Sequence, residues 1–248
     1  MNRLVLDLET KRSFNEVGGA HNKHLLGVSV VGVYHYDQDR FAAYREADFP
    51  DLRRALEAAD EVIGFNLIGF DWPVLAAEDG FGDWVTTIPT LDLMLEAQKA
   101  LGHRVSLDSI AGATLGANKL GSGLDALEYY AKGDWDALER YCLEDVKLTR
   151  DIYEYAKSHH MLYYNKGQRR SPIPMSFSQH PLAPLFQQAA KERQSIRMTY
   201  GGKDRVLDVH SFNGNYIKGF CHLRGKQLTF RIDRVEKAKL VASSQPLF

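Results

Sequence analysis

Cysteine is nearly missing from this chain: Cys142 and Cys221 are the only two in 248 residues. They stand far apart and match no metal-ligand spacing, so neither a disulfide framework nor a zinc site has support. Both read as small buried hydrophobes. Long apolar runs are missing as well. No stretch reaches the ~18 apolar residues of a bilayer-spanning helix, and Asp7 and Glu9 interrupt what would be the apolar part of a secretion signal. A soluble, cytoplasmic protein with no membrane partner is the expectation. Internal repeats and low-complexity tracts are absent too. With 44% hydrophobic and 11% aromatic residues, the chain can build ordinary cores.

Net charge is also almost absent, at -1, but it is unevenly distributed. Positions 1–164 carry 16 Lys and Arg against 27 Asp and Glu, and the rest of the chain carries 15 against 5. Such a split predicts two modules. The basic one suits phosphate-rich partners, unless it merely docks onto the acidic one.

LVLDLET, residues 4–10, reads as a buried strand, and LLGVSVVGVYHY as a β-branched central strand that pairs with Arg40–Tyr44 in a hairpin. PDLRRALEAAD places apolar residues at helical spacing behind Pro50. EVIGFN is a short strand and FDWPVLAAEDG opens a helix. TLDLMLEAQKALGH, Leu124–Lys132 and DWDALERYCLEDVKLTRDIYEYAKSHH are further helices. Strands, then alternating helix and strand, then helices predict a mixed α/β sheet domain. MLYYNKGQRRSPIPMSF reads as a hairpin turning at Asn165–Gly167, and SQHPLAPL as a Pro-rich linker. One amphipathic helix near Leu185–Arg193 and the short strands SIRMTY, RVLDVHSF, NYIKGFCHL and QLTFRID predict a small β-barrel-like module. The expected division is 1–160 for the sheet domain, 161–182 for hairpin and linker, and 183–248 for the basic module.

Asp7 and Glu9, two apart on a strand, point to the same face. Crowded carboxylates call for a cation, a shared proton or a metal; the plain alternative is a solvated strand end. A hard divalent cation wants several oxygens, so further acids are needed. Asp71 follows a strand in GFNLIGFDWPVL, where it could equally cap a helix. Asp145 lies in YCLEDV on the long helix, with Tyr141 one turn earlier on the same face. Asp92 in PTLDLM reads as a first-turn acid, and Glu144, about a quarter turn from Asp145, as solvent-facing.

LDLET, FNLIGFDWPVL and Tyr141-x-x-x-Asp145 together resemble, in order and separation, the three motifs of the DEDD 3′-5′ exonucleases of the ribonuclease H-like (DnaQ-like) superfamily. The resemblance spans roughly residues 1–160. The middle motif is closest to its form in proofreading domains of B-family DNA polymerases and in YprB-like nucleases. The third has the tyrosine form; the histidine form would need His at 140, where this chain has Arg140. The resemblance implies a ribonuclease H-like mixed sheet flanked by helices. It implies that Asp7, Glu9, Asp71 and Asp145 hold two Mg²⁺ or Mn²⁺ ions, which activate water and stabilise charge building on the phosphate. Tyr141, a poor base at neutral pH with an ordinary phenol pKa of about 10, would orient the attacking water. Asn66 and Phe70 would line the substrate strand by hydrogen bonding and stacking, and Thr10 would touch the terminal nucleotide. Phe70 fits a core position equally well.

IRMTYGGKDRVLDVHSFNGNYIKGFCHLRGKQLTFRIDRV resembles the WYL domain, a small Sm/SH3-barrel-like β module of bacterial regulators and DNA-processing proteins. The name-giving triplet is Asn215-Tyr216-Ile217 here, which reduces the aromatic platform. Tyr216, Arg224, Arg231 and Arg234 remain as the residues to contact nucleic acid or a nucleotide, and guanidinium forks suit phosphates. The expected function is a metal-dependent 3′-5′ exonuclease. It would act on single-stranded nucleic acid, DNA in preference to RNA, in DNA repair beside a helicase or other DNA-processing partner. A catalytically weak nucleic-acid-binding or nucleotide-sensing regulatory protein is the competing reading.

Overall fold

The structure is a computed structural model that describes residues 2–117, 123–167, 169–175, 182–212 and 216–241. Asn215 and the first half of the Pro-rich linker, 178–181, lie outside the described residues. The chain divides into two compact units, Met1–Phe177 and Ser178–Phe248.

In the first unit, alternation along Arg3–Thr10 (β1) sends Leu4, Leu6 and Leu8 into one core and Val5 into another. Val28–His35 (β2) is buried along its whole length and lies antiparallel to β1, with Arg40–Tyr44 (β3) antiparallel on its far side. The helix Phe49–Glu57 (α1), with Pro50 in its first turn, buries Phe49, Leu52 and Leu56. It returns the chain to Glu61–Gly64 (β4), which runs parallel to β1. The short helix Asp71–Leu75 (α2) precedes Thr90–Asp92 (β5), parallel to β4. The sheet order is β3-β2-β1-β4-β5. This is a mixed sheet with both faces covered, as the resemblance implies.

The helices Leu93–Leu101 (α3), Leu107–Leu115 (α4), Gly123–Lys132 (α5) and Trp135–His159 (α6) follow. The hairpin of Met161–Lys166 (β6) and Arg169–Pro174 (β7) comes after them. The expected division set this hairpin apart from the sheet domain, but Leu162, Tyr164 and Ile173 are buried in the core that also holds Ile110 and Ile152. Apolar alternation on one face makes the hairpin part of the first unit.

The approach of α6 to the sheet depends on one small residue. Gly32 on β2 is the register partner of Asp7. A Cβ there would stand 2.9 Å from both Cys142 Sγ and Val146 Cγ2 of α6. Real Cβ atoms do not approach that closely, so glycine lets α6 lie directly over this point of the sheet.

The second unit opens with Ala183–Glu192 (α7), followed by Ser195–Tyr200 (β8), Lys203–Phe212 (β9), Tyr216–Cys221 (β10), Lys226–Arg231 (β11) and Val235–Leu240 (β12). All neighbours are antiparallel in the order β11-β10-β9-β8-β12. Gly201 and Gly202, both with positive φ (57° and 68°), make the two-residue turn between β8 and β9, a geometry that needs left-handed backbone at both positions. Ile196, Met198, Leu207, Ile217 and Phe230 pack with Phe186 of α7 in a separate core. β12 has no clear signal in the sequence, because VEKAKL is rich in Lys and poor in β-branched residues.

Candidate metal-binding active site

Asp7 and Glu9 share the β1 face that carries Val5, the face covered by α6. Asp145 comes from α6, between the two residues that pack over Gly32. Ligand oxygens of Asp7, Glu9 and Asp145 all lie within 4.8 Å of one another. Asp145 is 3% exposed, whereas Asp7 and Glu9 are half-buried at the floor of a cleft. The pairing of β1 with β2 slips between Glu9 and Thr10, a bulge at the strand end next to the acids.

Asp71 lines the same cleft of about 540 Å³. It sits in the first turn of α2, and its Oδ1 accepts a hydrogen bond from the Leu8 amide at 3.2 Å, between Asp7 and Glu9 in sequence. It is 2% exposed, and burial pushes its carboxyl up to about 8, with the nearby Asp92 adding to the shift. Three of the four predicted acids are thus in mutual reach, and the fourth joins them at the cleft wall.

A set of carboxylate oxygens with no sulfur or imidazole donor fits a hard divalent cation such as Mg²⁺ or Mn²⁺. The cluster can bind metal. Cys142 lies beneath it, its Sγ donating to the Asp7 carbonyl oxygen at 3.6 Å. Burial, then the charges of Asp7, Glu9 and Asp145, push its thiol well above the ordinary range, so it stays a neutral packing group.

The Asp71 shift has a measurable consequence. An unfolded Asp gives up its proton near pH 4, while burial raises the native carboxyl to about 8. The native state binds more protons across that window, so this group's contribution to stability falls as pH rises from about 4 to 8. Mn²⁺ must displace the proton. Metal affinity is expected to rise with pH toward 8, with about one proton released per protein at pH 6. Calorimetry in two buffers of different ionisation enthalpy reads that proton directly.

Of the other residues singled out in sequence, Thr10 and Phe70 line the cleft. The Thr10 hydroxyl donates to the Arg12 carbonyl at 2.9 Å. The Phe70 ring meets Phe14 edge-on at 5.9 Å, and Phe14, also in the cleft wall, was not picked out by any motif. Tyr141 and Asn66 are not among the described residues lining the cleft. Tyr141 is buried one turn before Asp145, in a cluster with Val30, Ala126, Leu138 and Cys142. Asn66 adopts a left-handed conformation (φ 73°), which Asn tolerates better than most residues. Its Oδ1 accepts from Arg104 Nη2 at 2.6 Å.

Sequence reasoning placed Asp92 as a first-turn acid and missed its larger part. It is 0% exposed. Its Oδ1 accepts from the amides of Asn66 at 2.9 Å, Met94 at 3.1 Å and Leu95 at 3.3 Å, and its Oδ2 from that of Ile68 at 3.1 Å. One carboxylate therefore caps α3 and ties down the loop that carries Phe70 and Asp71. Burial raises its carboxyl, and the four amides oppose that shift. The signal available in sequence was an Asp placed to cap a helix immediately after a strand. Glu144, expected in solvent, is half-buried with Lys147 3.8 Å away.

In the second unit, Tyr216 stands opposite Arg231 across the β10–β11 pair, and both are half-buried. Arg224 is exposed in the turn after β10, and Arg234 is exposed in a 3₁₀ turn before β12. Tyr216 and Arg231 come together; Arg224 and Arg234 each belong to a separate turn.

A model of the RNase_H superfamily matches residues 5–157, more than half of the chain. Among solved structures, the chain is similar to the family B DNA polymerase of the hyperthermophilic archaeon Pyrobaculum calidifontis. The identity is 20%, with 63% of this chain and 24% of that one covered, at a TM-score of 0.47. It is also similar to the proteasome accessory factor B/C of Arthrobacter aurescens. There the identity is 22%, with 56% of this chain and 21% of that one covered, at a TM-score of 0.27. The chain thus spans about a quarter or less of the length of either protein. No curated protein matches it.

Proposed function

From the premise that this chain belongs to the RNase H superfamily, a superfamily of nucleases, we propose that it is a metal-dependent 3′-5′ exonuclease acting on single-stranded nucleic acid. One observation carries the reading: Asp7, Glu9 and Asp145, drawn from β1 and α6, converge within 4.8 Å at the floor of an open cleft. Together with Asp71 they would hold two Mg²⁺ or Mn²⁺ ions. Bound there, such ions lower the pKa of water and stabilise the charge that builds on a phosphate under attack.

The chain's own residues supply position. Phe70 and Phe14 give the cleft an aromatic wall on which a terminal base can stack, and Thr10 presents a hydroxyl and backbone beside the acids. Asn66, with its Oδ1 held by Arg104, keeps its amide nitrogen for a strand group. In this reading Tyr141 orients water from α6, one turn from Asp145. Asp92 fixes the loop that delivers Asp71 and Phe70. The basic second unit, which we read as WYL-like, holds the strand through Tyr216, Arg224, Arg231 and Arg234. DNA in preference to RNA, a place in DNA repair and a helicase or other DNA-processing partner belong to the same proposal.

A strand labelled separately at each end, offered as DNA and as RNA with Mn²⁺, tests the reading. Stepwise loss from the 3′ end supports it. Internal cuts, loss from the 5′ end or no shortening at any metal concentration overturn it, the last favouring a binding or nucleotide-sensing protein.

Replacing Arg231 and Arg234 together by Ala is expected to weaken binding and to flatten the plot of log affinity against log salt. The slope should fall by about 0.7 per lost phosphate contact on a single strand. Filter binding over a salt series measures it.

A further inference from the structure

The face of the second sheet that turns away from its core has a composition unlike an ordinary solvated surface. Along β10, Ile217, Gly219 and Cys221 point inward and are buried, so Tyr216, Lys218 and Phe220 share the outer face. The register puts Arg231, Thr229 and Gln227 of β11 beside them in the same order. Phe220 is 37% exposed, one of only two exposed large hydrophobic residues among the described residues of this unit. Its ring meets His222 edge-on at 5.5 Å. Lys218, between the two aromatics, is exposed and has no ion-pair partner among the described residues.

On the neighbouring β9, Asp208 stands opposite Phe220 across the β9–β10 pair, so the cations of the row lie toward Lys218 and Arg231. Asp208 accepts from Ser195 Oγ at 2.6 Å and is bonded to His222 Nε2 at 2.9 Å, and Asp204 accepts from Thr199 Oγ1 at 2.7 Å. A hollow of about 240 Å³ flanked by Arg197 and His222 lies further along the same sheet.

We infer that this outer face is a stacking platform for a single-stranded nucleic acid, with bases on Phe220 and Tyr216 and backbone phosphates on Lys218 and Arg231. The inference deepens, and rests on, the proposed strand binding by the basic unit. Four residues along a strand separate the two rings by about 13 Å. That is several times the 3.4 Å rise of stacked bases in a duplex, so the row fits an extended strand whose bases are splayed apart. Aromatic side chains interleaved with cations supply affinity without reading sequence.

Binding of the full chain to a fluorescent single-stranded oligonucleotide, in EDTA so that nothing is cut, tests this. Phe220→Ala is expected to raise Kd by about 5-fold to 160-fold, the range of one lost base stack, with the salt slope unchanged. Phe220→Trp should restore binding. Lys218→Ala should instead lower the salt slope by about 0.7. Phe220 is partly solvated, and a melting curve matching wild type establishes that the variant folds. If it does not fold, the Phe220→Trp and Lys218→Ala results decide.

A wild-type chain that binds strand, with Phe220→Ala and Lys218→Ala binding equally well at every salt concentration, overturns the platform alone. A wild-type chain that binds no strand overturns the platform and strand binding by the basic unit together.

Discussion

Asp145→Asn is expected to abolish metal-dependent shortening of a labelled strand, by three orders of magnitude or more, in a protein that melts at or above the wild-type temperature. The substitution keeps shape and removes one negative charge from a group of three carboxylates within 4.8 Å. Metal affinity depends on that charge: an amide oxygen is a weaker ligand for a hard divalent cation than a carboxylate. Catalysis that relies on charge stabilisation by the ions loses its largest contribution when they leave. Fold stability moves the other way, because Asp145 is 3% exposed and its charge is held near two others. Relieving like-charge crowding in a metal-free protein stabilises it. Shortening rates with Mn²⁺, beside thermal melts with and without Mn²⁺, separate the two effects. The variant should also lose the metal-induced rise in melting temperature expected of wild type. Undiminished shortening by Asp145→Asn would remove the metal assignment altogether.

Asp92→Ala is expected to be the most destabilising substitution near the site, costing about 3 to 5 kcal/mol. Four amides lose their acceptor at once. Each buried donor left unmet costs about 1 to 3 kcal/mol, and partial access of water or local shifts will recover some of the sum. Helix α3 also loses its cap, itself about 1 kcal/mol of that total. Asp92→Asn should cost less. Three of the four amides bond to Oδ1, and the Asn carbonyl oxygen can take that place while its NH₂ faces the Ile68 amide. Denaturant unfolding of both variants gives the ordering. In whatever folds, the loop carrying Phe70 and Asp71 is no longer tied down, so Mn²⁺ binding should weaken in Asp92→Ala more than in Asp92→Asn. Equal stability of the Ala variant and wild type would show that water satisfies these amides.

The proton held by Asp71 and the charges at Asp145 make metal uptake and pH one coupled variable in this protein. Burial raises the carboxyl of Asp71 on the cleft wall and so favours its protonated form, while the floor carries the acids of β1 and α6. In the proposed reading, cation binding exchanges that proton for a divalent charge and makes the cleft less repulsive to phosphates.

The sequence alone determined the classes of element and the neighbouring pair of carboxylates on the first strand. Side chains two apart on a strand must share a face, so Asp7 and Glu9 are adjacent whatever else the chain does. Residue spacing likewise makes α6 a helix with Asp145 and Tyr141 a turn apart. Alternation in LVLDLET and the apolar periodicity of the helices were enough for a mixed α/β sheet domain. Only the tertiary structure decided which distant pieces meet. The contact of α6 with β1 and β2 rests on the absence of a Cβ at Gly32, a close approach that no local pattern announces. The part played by Asp92 was hidden for the same reason: four amides from two segments converge on it, and convergence is not a property of any one segment. Tyr141 lies one turn from Asp145, as its spacing requires, and the packing of its ring with Val30 and Leu138 is a contact that spacing alone does not announce. The lysine-rich β12 and the outward row of Tyr216, Lys218 and Phe220 likewise emerged only once pairing with β8 and β11 fixed their register.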